Sequence, residues 1–294
     1  MKRIKSTSWL LVVSFLLTVL LFGCGAKKQQ TGIPAQADPK KTRVIMLDIG
    51  QGDSMLIQAN GKNILVDASK IDTRKELLAK LEHYKVTSLD LVIATHAHED
   101  HIGGMDAVFN KIPVKEVFDA GVPSTSKLYH NYLLKIKEKK IKLTVPKAGS
   151  KIDLGQGVYL EFFTPLSHRP EKDNTNNTSL VFKLVDSKFS MLFTGDIEKE
   201  GEKLIVEKYS DKLRSDVLKA PHHGSSTSSS QQFLDRIKAG DVLVSCAAGN
   251  DYKHPHESVV KRYQKNKMNM YITHQSGDIA ITATDKGYSL TTSK

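Results

Sequence analysis

Apolar and polar positions follow two periods along this chain, and the switches between them mark its elements. Short apolar runs of strand type stand at Arg43–Leu47, Leu91–Ala94, Ile141–Val145, Val158–Phe163, Leu180–Val185, Phe189–Phe193, Asp216–Lys219 and Asp241–Ser245. Met55–Ala59 and Lys62–Val66 flank Asn60-Gly61, a pair that accepts the positive φ of a tight hairpin turn. Leucines at 77, 78 and 81 give Arg74–His83 an amphipathic helical stripe, and Met105–Asn110, Leu128–Lys139, Glu200–Tyr209, Gln231–Ile237 and Pro255–Gln264 read as further helices. The end of the chain, MYIT, DIAITAT and GYSLTT, is a run of strands broken by Gly277 and by Asp285-Lys286-Gly287. Alternating strands and helices predict an α/β domain over residues 43–294, long enough for one sizeable core. No internal repeat is present.

Before residue 43 the pattern is of another kind. Lys2, Arg3 and Lys5 precede an apolar run, Trp9–Phe22, that is short for a membrane-spanning helix and suits a secretory signal over residues 1–23. The run ends Leu21-Phe22-Gly23-Cys24, which resembles a bacterial lipobox; Cys24 would then carry lipid, and an uncleaved anchor is the alternative. Residues 24–42 read as the lipidated cysteine and a polar tether. Either version places the domain outside the cytoplasmic membrane, held to it by its N-terminus.

Composition adds less. The net charge of +11 suits attraction to a polyanion and equally a lysine-coated surface, and no arginine-rich or aromatic–basic run favours sequence-reading nucleic-acid contacts. Only two cysteines occur, so with Cys24 lipidated the fold holds without a disulfide; Cys246, inside the apolar run VLVSCAA, reads as a small buried strand residue.

The chemistry concentrates in Thr95–Gly104, THAHEDHIGG. His96, His98, Glu99, Asp100 and His101 follow the apolar strand LDLVIA at once. A polar helix start would account for the acids but not for three imidazoles, whereas neutral His and ionised Asp are donors that zinc and its neighbours accept. Asp196 and the pair His222-His223 also follow apolar strands closely, and strand ends on one sheet edge lie together in space. His83, His130 and His274 stand alone and read as surface or packing residues.

H-x-H-x-D-H after a hydrophobic strand resembles the signature of the metallo-β-lactamase-fold hydrolases. LDIGQGDS (Leu47–Ser54), NNTSLVF (Asn176–Phe182), LFTGD (Leu192–Asp196), LKAPHHGS (Leu218–Ser225) and NDYKHPH (Asn250–His256) narrow the likeness to the hydrolase domain of ComEC-like proteins, from about Arg43 onward. The resemblance implies a four-layer αββα sandwich of two mixed sheets and two divalent ions, Zn²⁺ or Mn²⁺. His96 and His98 would hold the first, Asp100 and His101 the second, and Asp196 would bridge them. One of His222 and His223 would complete the second site, with His223 favoured as ligand and His222 as hydrogen-bond donor. The third histidine usual at the first site is missing from Asp173–Ser179, where Asn176 or Asn177 offers an oxygen ligand or an amide to the substrate, and His168 is the runner-up. Asp48, Asp53 and Asp67 are expected beside the pocket, in contact with substrate or with the ligands, and His254 within reach of a phosphate or leaving group.

The catalytic set implied is Asp100, Asp196, His222 and His254, acting with a metal-bound hydroxide on a phosphodiester, DNA or a phosphorylated wall polymer. A choline-phosphate esterase, a lactonase or a β-lactamase shares the fold, and a non-catalytic DNA- or teichoic-acid-binding module is the rival from another class. No protein partner is expected.

Overall fold

The computed structural model describes residues 32–165 and 174–294. The signal segment, Cys24 and His168 lie outside the described residues. In chain order the strands are β1 (Arg43–Met46), β2 (Met55–Ala59), β3 (Lys62–Val66), β4 (Leu91–Ala94), β5 (Glu116–Asp119), β6 (Lys142–Thr144), β7 (Lys151–Gly155), β8 (Val158–Phe162), β9 (Phe182–Val185), β10 (Ser190–Phe193), β11 (Val217–Lys219), β12 (Asp241–Val244), β13 (Asn269–Ile272), β14 (Ile279–Thr284) and β15 (Gly287–Thr292). The helices are α1 (Arg74–His83), α2 (Glu99–Ile102), α3 (Met105–Lys111), α4 (Lys127–Glu138), α5 (Lys199–Tyr209), α6 (Gln231–Ile237), α7 (Glu257–Lys265) and α8 (Thr273–Ser276).

Two mixed sheets form, in the orders β15-β14-β1-β2-β3-β4-β5-β6 and β13-β12-β11-β10-β9-β8-β7. In the first, β3 to β6 run parallel and the rest antiparallel. In the second, β10 to β13 run parallel and β7 to β10 antiparallel. The inner faces meet through Val44, Ile57, Ile93, Phe162, Phe182, Leu184, Met191 and Phe193, all buried. On the outer face of the first sheet Leu77, Val108 and Tyr132 of α1, α3 and α4 cover Leu65 and Val92, and on the second Ile205, Phe233 and Val259 of α5, α6 and α7 cover Leu218 and Val242. Helix, sheet, sheet, helix is the expected four-layer sandwich.

The differences from the sequence reading have local causes. β5 and β7 were not expected: the first is four residues with an acid at each end, and the second is a charged edge strand with only two apolar residues, Ile152 and Leu154, before Gly155. The strand expected from Leu180 begins at Phe182, because the Leu180 N–H is spent on Thr95 O at 2.8 Å, a link between the two sheets. Cys246 is buried as expected, yet it sits just past the end of β12. Residues 32–42, read as the end of a tether, lie against the domain: Ile33 is buried and the Arg43 guanidinium donates to Pro34 O.

Phe182 stacks between Phe162 and Phe193, at ring-centroid distances of 5.3 and 4.7 Å, in the middle of the inter-sheet core. Phe182→Ala is expected to cost about 3–5 kcal/mol in urea unfolding, from lost transfer energy and a residual cavity. Leu134→Ala, at a side chain 51% exposed, should stay within about 0.5 kcal/mol.

Candidate metal centre

Parallel strands end together, and both parallel halves end on the same side of the sandwich. β3 delivers Asp67, β4 delivers Thr95 and His96, β10 is followed by Gly195 and Asp196, β11 ends on Lys219 ahead of His222-His223, and β12 is followed by Ser245. The loop after β1 brings in Asp53, whose N–H donates to Asp100 O at 2.9 Å. Ser245 Oγ donates to Gly52 O at 2.6 Å and so ties the second sheet's edge to that loop. A Cβ at Gly52 would lie 2.7 Å from Asp100 O, and the residue has φ +135°, so glycine is required for this approach.

The backbone is strained where the side chains matter. His222 and His223 both take left-handed conformations, with φ 50° and 53°, inside the turn Pro221–Gly224, and Asp67 does so at φ 59°. Each such residue costs of order 1 kcal/mol or more and persists only when its surroundings enforce it. Enforcement comes from hydrogen bonds: the Asp67 carboxylate accepts Thr95 N–H and Oγ–H, both at 2.8 Å, and His222 O accepts Ser225 N–H at 2.8 Å.

The two innermost imidazoles are held by their rear nitrogens. His101 Nδ1 lies 2.7 Å from Asp67 Oδ2, and His223 Nδ1 lies 2.9 Å from the Ser245 carbonyl. A carbonyl only accepts, so Nδ1 of His223 carries a hydrogen, and Nε2 is the nitrogen that a metal would meet. His101 Nε2 stands 3.2 Å from Asp196 Oδ2, and His223 Nε2 stands 3.6 Å from the same oxygen and 3.3 Å from Asp100 Oδ2. Both Nε2 atoms are buried without a hydrogen-bond partner. His96, also buried, points its Nε2 to Asp196 Oδ2 at 4.0 Å and lies 3.0 Å from Nδ1 of the exposed His98. One atom each from Asp53, His101, Asp196 and His223 falls within 4.8 Å of the others. Nitrogen and oxygen donors that converge unpaired, with rear nitrogens anchored, suit a divalent metal ion.

The charges agree. Burial alone would push the Asp196 carboxyl up, but His101, His223 and Lys219 outweigh it and hold the pKa well below the usual range. Asp100 is likewise lowered, burial being overcome by His101 and His223. Burial works against a charge on His101, yet Asp196, Asp67 and Asp100 raise its pKa well above that of free imidazole. His96 is driven well down by burial and by its neighbour His101. Without a metal, the protons on His101 and His223 and the Lys219 ammonium compensate these carboxylates, and a divalent ion on the Nε2 side would take over from the imidazole protons.

Not every expected residue joins the centre. His222 is half-buried at its rim, with Nδ1 3.1 Å from Thr227 Oγ1 and Nε2 3.9 Å from Asp196 Oδ2. His254 stacks against His223 with centroids 6.1 Å apart, and burial followed by the neighbouring imidazoles lowers its pKa to about 4. Asp48 turns away: its carboxylate pairs with Lys294 at 2.8 Å, and its N–H donates to the Asp278 carboxylate at 2.7 Å. Asn177 is spent on structure, its Oδ1 accepting Glu198 N–H at the start of α5, and the Asn176 amide donates to the Glu198 carboxylate. Asn176 Oδ1 and Asn177 Nδ2, by contrast, are buried without a hydrogen-bond partner. Ser179 Oγ lies 3.4 Å from the rear Nδ1 of His96 and accepts the Asp196 N–H at 3.0 Å, so it positions two residues of the centre. Cys246 stays out of the cluster, 3.7 Å from His274 Nδ1. Lys219, which sequence reasoning passed over, is buried inside the centre; its place as the last residue of a strand running into HHGS was the available signal.

Comparison with known proteins places this geometry in a class. Residues 47–248 match the Metallo-beta-lactamase superfamily, and the chain belongs to it. It is 29% identical to ComE operon protein 3 of Bacillus subtilis (strain 168), a match covering 80% of this chain and 32% of that protein. It is 31% identical to Competence protein ComA of Neisseria gonorrhoeae, covering 83% and 33%. The chain thus spans about a third of the length of these relatives. Among solved structures it is similar to the metallo-beta-lactamase fold protein YhfI from Bacillus subtilis, with TM-score 0.55 and 12% identity over 81% of this chain and 99% of that one. It is similar too to CmlA, a diiron beta-hydroxylase from Streptomyces venezuelae, with TM-score 0.54 and 14% identity over 83% and 54%. At such identities these two structures speak for the fold alone.

Because Asp67 aims His101, Asp67→Asn is expected to weaken Zn²⁺ binding by roughly 10–100-fold while the protein stays folded. His223→Ala should weaken it more than His222→Ala. Competition titration with a chromophoric chelator reads both; equal effects at 222 and 223 would contradict the assignment of His223 as the inner imidazole.

Proposed function

We propose that the protein is a metal-dependent hydrolase of phosphodiesters that acts outside the cytoplasmic membrane, anchored through a lipidated Cys24. The observation that carries the reading is the convergence of two unpaired, buried Nε2 atoms on one oxygen of Asp196. His101, His223, Asp196 and Asp100 would hold one divalent ion, zinc or manganese, and His96, His98 and Asp196 a second. Ions at such a centre lower the pKa of water and take up charge on phosphoryl oxygens. The chain's own part is to fix the donors, with Asp67 and Ser245 setting ring orientation, and to place two imidazoles at the rim. Burial, ahead of all other influences, lowers the pKa of both His222 and His254, so both rings are neutral near pH 7 and suited to accept a proton or to hydrogen-bond a substrate oxygen. The +11 charge favours a polyanion, and the likeness to Competence protein ComA supports DNA as that polymer.

Chelation is expected to abolish hydrolysis of bis-p-nitrophenyl phosphate, and Zn²⁺ or Mn²⁺ to restore it. Asp196→Ala and His101→Ala should lower kcat by roughly 10³–10⁴-fold, while His130→Ala and His274→Ala leave it within a small factor. Comparable activity in all four variants would contradict the centre. With DNA as substrate, affinity should fall steeply with salt as counterions are released. Turnover of a lactone or β-lactam, with DNA, RNA, teichoic acid and phosphorylcholine esters untouched, would move the protein to another hydrolase class.

A further inference from the structure

Lys219 is the one residue of the centre whose charge opposes the metal it would hold. Its ammonium is buried, forms an ion pair with Asp53 Oδ2, donates to Gly195 O at 2.8 Å and lies 3.5 Å from Asp196 Oδ1. It therefore takes one oxygen of Asp196 and leaves the other, Oδ2, to His96, His101, His222 and His223.

Proximity alone would make Asp53 a metal ligand together with His101, Asp196 and His223. The ring atoms it faces say otherwise. Asp53 Oδ1 lies 3.5 Å from His223 Nδ1 and Asp53 Oδ2 lies 3.9 Å from His101 Nδ1, so it meets both imidazoles at their anchored rear nitrogens. The Nε2 atoms face Asp100 and Asp196 instead. A metal on the Nε2 side and an ammonium on the Nδ1 side share the same set of carboxylates without competing for an atom.

We propose that Lys219 is a built-in monovalent cation of the centre: it neutralises Asp53, pins the outer oxygen of Asp196, and confines the metal to Asp196 Oδ2, Asp100 and the imidazole Nε2 atoms, with Asp53 outside the coordination sphere. Lys219 and Asp53 are then positioning residues. Without metal the pair also spares the fold a further uncompensated carboxylate at the sheet edge, where a lone buried charge is strongly destabilising. The inference rests on the centre being a metal site, as argued above.

A double-mutant cycle on the full chain tests it, read by Zn²⁺ affinity in chelator competition and by the melting temperature of metal-free protein. Lys219→Met should bind Zn²⁺ about tenfold more tightly, because Asp53 and Asp196 Oδ1 become free to meet a cation, and its metal-free form should melt roughly 5–10 °C lower. Asp53→Asn should bind Zn²⁺ about tenfold more weakly, because the ammonium is left unpaired beside the metal. The double variant, which removes both charges, should return to within about threefold of the parent. A double variant as weak as Asp53→Asn would make Asp53 a ligand and overturn the proposal. So would a Lys219→Met protein with unchanged affinity and melting. If Lys219→Met alone does not fold, the parent, Asp53→Asn and the double variant still decide. A parent that binds no Zn²⁺ would overturn the metal reading itself, and this inference with it.

Discussion

Four carboxylates, Asp53, Asp67, Asp100 and Asp196, crowd one edge of this sandwich, and three of them are almost fully buried. Compensating that negative charge is the constraint on which the rest of the centre depends. Isolated buried carboxylates would protonate or unfold their surroundings, so each must meet a donor or a cation. Asp67 meets Thr95 and His101, Asp53 meets Lys219, and Asp100 and Asp196 meet imidazoles that offer lone pairs as readily as protons. The unmet part of the charge is what a divalent ion would supply.

The architecture makes such crowding possible. Two sheets with parallel halves end their strands on one side, and the loops that leave them are joined by Leu180 N–H to Thr95 O and Ser245 Oγ to Gly52 O. Those cross-sheet bonds tie the loop after β4 to the segment ahead of β9, and the loop after β12 to the loop after β1, without any metal. The strained turns at Asp67, His222 and His223 are tolerated because the sheets beneath them are rigid, packed through the Phe162–Phe182–Phe193 stack. Stability is stored in the layers and spent at the edge.

Much of this is legible in the chain, for a physical reason. His96, His101, Asp196 and His223 each follow an apolar strand, and a strand end fixes the location of what comes next, so their meeting could be read from order and pattern. Side-chain direction could not. Asp48 and Asp53 sit in the same glycine-rich loop, yet one turns to Lys294 and the other to Lys219, depending on partners far away in the sequence. Asn177 looked like a spare amide near the site, and its oxygen went to the N–H groups that open α5. Lys219 carries the wrong sign for a metal ligand and belongs to a residue type that is rarely buried, so its place at the end of a strand ahead of HHGS marks its location, and the placement of both aspartates reveals its role.

The most direct test of this account is a crystal structure of metal-loaded protein with anomalous scattering collected at the metal edge. The account predicts a peak about 2.0–2.2 Å from His101 Nε2, His223 Nε2 and an oxygen of Asp196, with the Lys219–Asp53 pair intact. A peak bound by Asp53 with Lys219 displaced, or no peak between these imidazoles, would contradict it.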